Sequence, residues 1–215
     1  MNSHLVEVKV WGRYACFTRP ENKVERLSYP IITPSAAVGI LEAIYWKPQF
    51  RWEVTKIGVL RHPDRGDTVD WENYMPITLN ELSAEGEKHP LEGYNLGKHR
   101  IQRTCMVLRW PCYVIRARAK LLSAATNLAK IRETFNDRVK KGQCHHTPYL
   151  GLRDFVANFS APDSGDLPIA SINEPDLGMI MHSVCLPEGA KTAQYRFVPL
   201  QVDAGVFDLG REVPN

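Results

Sequence analysis

Two segments of the chain repeat their apolar residues at helical spacing, and each stands between segments that alternate apolar and polar residues. The first is "TPSAAVGILEAIYWKP", residues 33–48. Thr33 is a good N-cap, Pro34 suits the first helical position, and Ala37, Leu41 and Ile44 form an apolar face. Pro48 is expected to end the helix, because it lacks an N–H and crowds the preceding turn. The second is "SAATNLAKIRETFNDRVKKG", residues 123–142. Leu128, Ile131, Phe135 and Val139 line one face of it, Lys130, Thr134, Arg138 and Lys141 another, and Gly142 suits the C-cap.

Four strand-like segments surround these helices. They are "LVEVKVW" (5–11), "FRWEVTKIGVLRH" (50–62), "RTCMVLRWPCYVIRARAKLL" (103–122) and "YLGLRDFVANF" (149–159), the last with Gly151 inside it. Pro111 in the third implies a bulge, a break or an edge position. The order β-α-β-β-α-β is that of the α+β, ferredoxin-like (RRM-like) plan. Residues 63–97, rich in Gly, Pro, Asn and acids, read as a long loop or a projecting hairpin inserted into it. Residues 158–215 carry short strand-like pieces, "GMIMHSVCL" and "AQYRFVPLQV", and read as a small antiparallel β-sheet part. The expected division is therefore 1–157 and 158–215.

With 215 residues, 44% hydrophobic and 24% charged, the chain has the balance of a soluble globular protein with a full core. No apolar run has the length of a membrane span, and "MNSHLVEVKVW" lacks the basic-then-apolar order of a signal peptide. The five cysteines are odd in number, scattered and without a CxxC pair, and read as free thiols of a reducing cytoplasm. The net charge of +3 hides a split. Residues 98–153 hold 13 Lys or Arg against Glu133 and Asp137, a charge of +11, which leaves −8 for the remainder. Clustered cations of this kind suit a polyanion, because they displace counterions from phosphates. The same pattern also arises when basic residues alternate along strands on a solvated face.

"KKGQCHHTPYLG" (140–151) sets Cys144, His145 and His146 side by side. A zinc site needs three or four ligands, and consecutive residues on a strand point to opposite faces; no second cluster supplies the rest. No metal and no cofactor is expected. An adjacent Cys–His pair rarely reaches the geometry of a nucleophile and its base, and Cys144 reads as a small buried residue. His145 and His146 read either as contacts to a phosphate or base, or as histidines hydrogen-bonded at a strand start. "AIYWKP" (43–48) puts Tyr45, Trp46 and Lys47 at the end of the first helix, with at least one of the two rings in the core. A Tyr and a Lys can orient or deprotonate a ribose hydroxyl, or stabilise charge on a scissile phosphate. Walker, GxGxxG, HExxH and GxSxG sequences are absent. The basic segment holds only two carboxylates, whereas a two-metal nuclease needs carboxylates for its ions. A nuclease built on this segment would act on RNA, with the RNA's own 2′-OH as nucleophile.

The strings "WGRYACFTRPE", "LSYPIITPSAAVGILEAIYWKP", "HRIQRTCMVLR", "KKGQCHHTPYLGLRDF" and "PDLGMIM" together resemble one family, in order from about residue 6 to about residue 181. It is the fifth CRISPR-associated family, in its type I-C (Dvulg) subtype, within the repeat-associated RNA-binding superfamily. The resemblance implies a ferredoxin-like domain, a projecting hairpin and a small β-sheet part. It also implies an endoribonuclease that cuts CRISPR precursor RNA within each repeat without metal, leaving a 2′,3′-cyclic phosphate and a 5′-OH. Such a subunit recognises the repeat stem-loop and flanking bases. It stays on the 5′ handle and joins the Cascade backbone and large subunits. The alternative is a non-catalytic subunit that only holds the handle. A general RRM-like binder fits less well, since "RTCMVLRWPCYVI" lacks paired RNP-type aromatics. Nonspecific DNA cleavage would be a metal-dependent side activity.

The resemblance further implies a catalytic Tyr in "YWKP", which falls on Tyr45, and a Lys–His pair on the second helix. Lys130 takes the Lys position, but Ile131 stands where the His is expected, and His146 is the candidate replacement, with His145 beside it. Lys47, Arg103, Arg109, Arg116, Arg138, Lys141 and His145 are the expected RNA contacts.

Overall fold

The computed structural model describes residues 5–22, 24–65, 73–82, 100–122, 127–185 and 192–210. At its centre is a five-stranded sheet. Strand β1 (Leu5–Trp11) is flanked by β7 (Cys112–Leu121) and β8 (Asn158–Ser160); β4 (Phe50–Val59) follows β7, and β11 (Val206–Asp208) closes the edge, giving the order β11-β4-β7-β1-β8. Every pairing in it is antiparallel. The alternation in β1 does what the sequence requires of it. Val6, Val8 and Val10 are buried, opposite Ala117, Ile115 and Tyr113 of β7, while Glu7 and Lys9 belong to the other row.

Helix α1 (Pro34–Ile44) begins at Thr33, whose hydroxyl accepts from the Ala36 N–H at 3.1 Å. It buries Ala37, Ile40, Leu41 and Ile44. Helix α2 (Leu128–Lys140) begins at Asn127, whose side chain accepts from the Ala129 N–H, and buries Ile131, Phe135 and Val139. Each of those three side chains contributes roughly 1.5–3 kcal/mol by leaving water. Phe135 meets Trp52 of β4 edge to face at 5.0 Å, which ties α2 to the sheet. Gly142 follows α2 at φ +62, the left-handed position that stops a helix.

A second sheet holds β2 (Tyr14–Ala15), β6 (Arg100–Arg109) and β3 (Arg26–Leu27), with β5 (Tyr74–Leu82) on β6. The β5–β6 pair runs antiparallel from Tyr74↔Leu108 to Leu82↔Arg100. It carries part of the expected insertion as a hairpin; residues 66–72 and 83–97 of that insertion lie outside the described residues. Strands β9 (Met179–Cys185) and β10 (Gln194–Pro199) form an antiparallel ribbon over the two expected strand-like pieces, and β9 packs on α1. Two strands drawn from residues 158–215, β8 and β11, are built into the central sheet.

Three expectations need correction. The third strand region is two strands, β6 and β7, in different sheets. Pro111 marks a break there: Trp110 before it turns left-handed at φ 53, which redirects the chain. The fourth strand is limited to Asn158–Ser160. Gly151 lies at φ +87, and a Cβ on it would stand 2.0 Å from the Cys16 carbonyl oxygen, so the chain is pressed flat against Cys16 rather than extended as a strand. Finally, α1 stops at Ile44, before Pro48 can act. Tyr45 is already extended at φ −152, ψ 118.

Candidate active site

The last carbonyls of a helix have no partner inside it. At α1 they are met from two other parts of the chain. The Ala43 oxygen accepts from the His145 N–H at 2.7 Å and the His146 N–H at 3.3 Å. The Ile44 oxygen accepts from Nη1 of Arg138 at 2.7 Å. The Tyr45 oxygen accepts from Nε1 of Trp52 at 2.9 Å. Capping α1 therefore brings the end of α2 and the loop after it against "YWKP". Cations also suit this end, where the helix dipole is negative.

Tyr45 is the centre of the cluster. Its ring is buried, tilted against Phe50 at 5.6 Å. The Arg138 guanidinium stands 5.0 Å from the ring centroid and the Lys47 ammonium 6.0 Å from it. The His145 and His146 rings are 5.6 Å apart, and both residues are exposed. Burial pushes the Glu42 carboxyl up, and the nearby charge of His146 pulls against that shift. Lys141, the C-cap of α2, is exposed beside them in the chain. The cluster thus offers a phenol, several cations and two imidazoles in one place.

The structure gathers Tyr45, Lys47, Arg138, His145 and His146 at the end of α1, with Lys141 next to them in the chain, and leaves Lys130, Arg103, Arg109 and Arg116 elsewhere. Lys130 lies on the first turn of α2, exposed, eight residues before Arg138 and so about 12 Å from it along the helix axis. Arg138 is the α2 cation that lies on Tyr45. Ile131 is in the core at 2% exposure. Arg103 donates to the Val24 carbonyl at 3.4 Å, and Arg109 pairs with Tyr14, both in the hairpin sheet. Arg116 is paired with Glu7.

That last pair belongs to a wider pattern. On the row of the central sheet opposite the core, Arg118 and Lys120 both meet Glu53, at 3.1 and 3.2 Å, and Lys56 meets Asp208 at 2.8 Å. Burial alone would push the Glu53 carboxyl up, but hydrogen bonds from Lys120 and Arg118 hold it below its ordinary value. The β7 cations of the +11 segment are thus matched by acids from outside that segment. Alternating basic residues on a solvated face is the better description of that strand.

Cys144 is exposed on the loop after α2, not buried as its residue type suggests. The loop is held from both sides: Gln143 N–H donates to the Arg138 carbonyl at 2.8 Å, and the next bond is the one from His145 to Ala43. His145 and His146 lie in this loop rather than at a strand start. Among the described residues, no group of three or more His, Cys, Asp or Glu side chains is placed to hold a metal ion. Among the same residues, no helix is long and apolar enough to cross a membrane. Two features escape a reading of the sequence: the capping role of Arg138 and the 53% exposure of Trp46. The second had a signal, since residues after a helix stop often run extended and alternate in direction.

Residues 5–196 match the family described as CRISPR-associated protein (Cas_Cas5). A relative from Thermus thermophilus named CRISPR pre-crRNA endoribonuclease Cas5d is 46% identical over 184 residues, spanning 85% of this chain and 74% of the relative. A relative of the same name from Mannheimia succiniciproducens is 39% identical over 216 residues, spanning 95% of this chain and 94% of the relative. A crystal structure described as a CRISPR-associated protein superposes with a TM-score of 0.65 at 22% identity, over 95% of this chain and 90% of that one. SMU1763c from Streptococcus mutans superposes with a TM-score of 0.62 at 18% identity, over 95% of this chain and 91% of that one. At these identities the two structures speak for the fold alone.

Proposed function

The chain belongs to the CRISPR-associated Cas5 family, and from that premise and the cluster at the end of α1 we propose that it is a pre-crRNA endoribonuclease that cuts by attack of a 2′-OH. The observation that carries the mechanism is the meeting at the end of α1 of Tyr45, the Arg138 and Lys47 cations on its ring, and the His145–His146 loop bonded to Ala43. Its arrangement suits a scissile phosphate. Tyr45 orients the attacking 2′-OH, which passes its proton to solvent water as it attacks, and Arg138 and Lys47 stabilise charge on the pentavalent phosphorus. As the 2′-oxygen bonds to phosphorus, the bond to the 5′-oxygen breaks. His146 donates a proton to that oxygen, with the Glu42 carboxyl nearby. The products are a 2′,3′-cyclic phosphate and a 5′-OH. Lys141 and His145 hold the adjoining RNA backbone, and the protein stays on the 5′ handle within Cascade.

The order β4-β7-β1-β8, with a helix after the first and third of the four strands in chain order, supports the ferredoxin-like reading of the central sheet. The Lys–His pair that the resemblance implies is broken at Lys130–Ile131, but the sequence contains it at Lys88–His89 and at Lys98–His99. The second begins the string "KHRIQRTCMVLR", most of which is shared with the family, so we assign the pair to Lys98–His99, outside the described residues.

The test is single-turnover cleavage of a repeat RNA in excess EDTA, beside the same RNA with single 2′-deoxy substitutions. One discrete cut, lost at a single deoxy position and in Lys98→Ala and His99→Ala, is the expected result. Tight binding without a cut would overturn the reaction and leave a subunit that only holds the handle.

A further inference from the structure

Large aromatic side chains gain most by leaving water, and the ring next to Tyr45 does not. Trp46 is 53% exposed, while Trp52 behind it is 3% exposed. The backbone that carries Trp46 is nevertheless held firmly. The Tyr45 carbonyl accepts from Trp52, and the Phe50 N–H donates to the Lys47 carbonyl at 3.4 Å. Pro48 restricts the turn between them. Because Tyr45 is extended, its neighbour points the opposite way, so the same geometry that buries Tyr45 presents Trp46 outward. Lys47 and Arg138 bring positive charge to this end of α1, and the backbone of His145 and His146 is held there as well.

We propose that Trp46 is a stacking platform for a nucleobase adjoining the scissile phosphate, a purine by preference. The inference rests on the ribonuclease reading above and adds to it the device that positions the substrate. In a continuously stacked A-form strand the 2′-oxygen, phosphorus and 5′-oxygen are not collinear. In-line attack needs the flanking nucleotides to splay apart, and a splayed base needs a new surface. Proteins that read single-stranded RNA supply aromatic rings for this, and every base has a face to offer. A ring on a pinned backbone receives the base at the cost of ordering its own side chain alone. Purines have the larger face, hence the preference.

The experiment places 2-aminopurine in turn at each unpaired position of the repeat RNA, with 2′-deoxy sugars to prevent cleavage, and reads fluorescence on binding. Wild-type protein quenches the probe at one position, Trp46→Phe keeps most of the quench, and Trp46→Ala loses it. In native RNA, an abasic sugar at that position slows single-turnover cleavage by wild type about tenfold or more but leaves Trp46→Ala unchanged, because the partner is already gone. Quenching that persists in Trp46→Ala at every position, or abasic and Trp46→Ala effects that multiply, would overturn the proposal. Binding and quenching without any cut would defeat the ribonuclease reading while leaving the stacking decided by the quench.

Discussion

Replacing Arg138 with alanine should separate what holds the site together from what reacts in it. Arg138 donates to the Ile44 carbonyl at 2.7 Å and covers the Tyr45 ring at 5.0 Å. A hydrogen bond from a charged donor contributes about 1.5–3 kcal/mol net, and its loss here orphans a part-buried carbonyl. The cation–π contact adds about 0.5–2 kcal/mol. Together the expected loss is about 3 kcal/mol, or roughly 6–12 °C in Tm for a chain of this size. Urea denaturation reads this directly. Cleavage is measured separately, below the variant's midpoint and with enzyme in saturating excess, so that neither unfolding nor weak binding limits the rate. Loss of a cation from the phosphate should slow the cut by about 10²–10³-fold. Arg138→Lys keeps the charge but cannot hold the carbonyl and a phosphate oxygen in one fork, so it recovers only part of each effect. An Arg138→Ala protein that is less stable but cuts at the wild-type rate would make Arg138 a cap only. The placement of the phosphate at the end of α1 would then be wrong.

Tyr45→Phe keeps the packing on Phe50 and removes only the hydroxyl; single-turnover cleavage should fall at least about a hundredfold while the urea midpoint moves little. Arg116 already has Glu7 as partner, so Arg116→Ala should leave the salt dependence of repeat-RNA binding unchanged, whereas Lys141→Ala should lower the log–log slope by about one. Burial raises the Glu42 carboxyl, so the folded state binds protons that the unfolded chain has released, and stability falls as the pH rises through the carboxylate range. Glu42→Gln should therefore be the more stable protein at pH 7 in urea titrations, with the difference closing below about pH 4. Ile131→His, which would set a His directly after Lys130, puts an imidazole into the core beside Phe135; it should cost about 2–4 kcal/mol by the same assay and should not speed cleavage.

The legible parts of the fold were those with a strong period. Strand β1 and both helices lie where the spacing of Val6, Val8 and Val10, of Leu41 and Ile44, and of Ile131, Phe135 and Val139 puts them. Two of their caps, Thr33 and Gly142, act through local hydrogen bonds and dihedrals that a sequence displays, while the cap at Asn127 emerged only in the fold. What was hidden depends on distant contacts. The strand pattern from β6 to β7 is continuous in composition, and only the turn at Trp110 shows that its halves serve two sheets. Gly151 looks like a residue inside a strand until Cys16 is seen against it. The β11 strand has three residues, too few for any period, and its place on β4 comes from tertiary pairing.

The site was legible in its residue types and not in its wiring. Counting charge along the chain gave +11 to residues 98–153, but a count has no knowledge of partners. Folding sets Glu7 against Arg116 and Glu53 against Arg118 and Lys120, which discounts β7 as a phosphate surface. The cations that remain beside Tyr45 are there for a structural reason. A helix that ends under another helix must find donors for its last carbonyls, and α1 finds them in Arg138 and in the backbone of His145 and His146. The same requirement that stabilises the end of α1 therefore builds the cluster. It also explains why "YWKP" and "QCHH", about a hundred residues apart, read as separate motifs in the sequence and as one site in the fold. Lys130 is the opposite case: helical spacing put it in line with Arg138, but eight residues of rise separate the two, and it is Arg138 that lies on Tyr45.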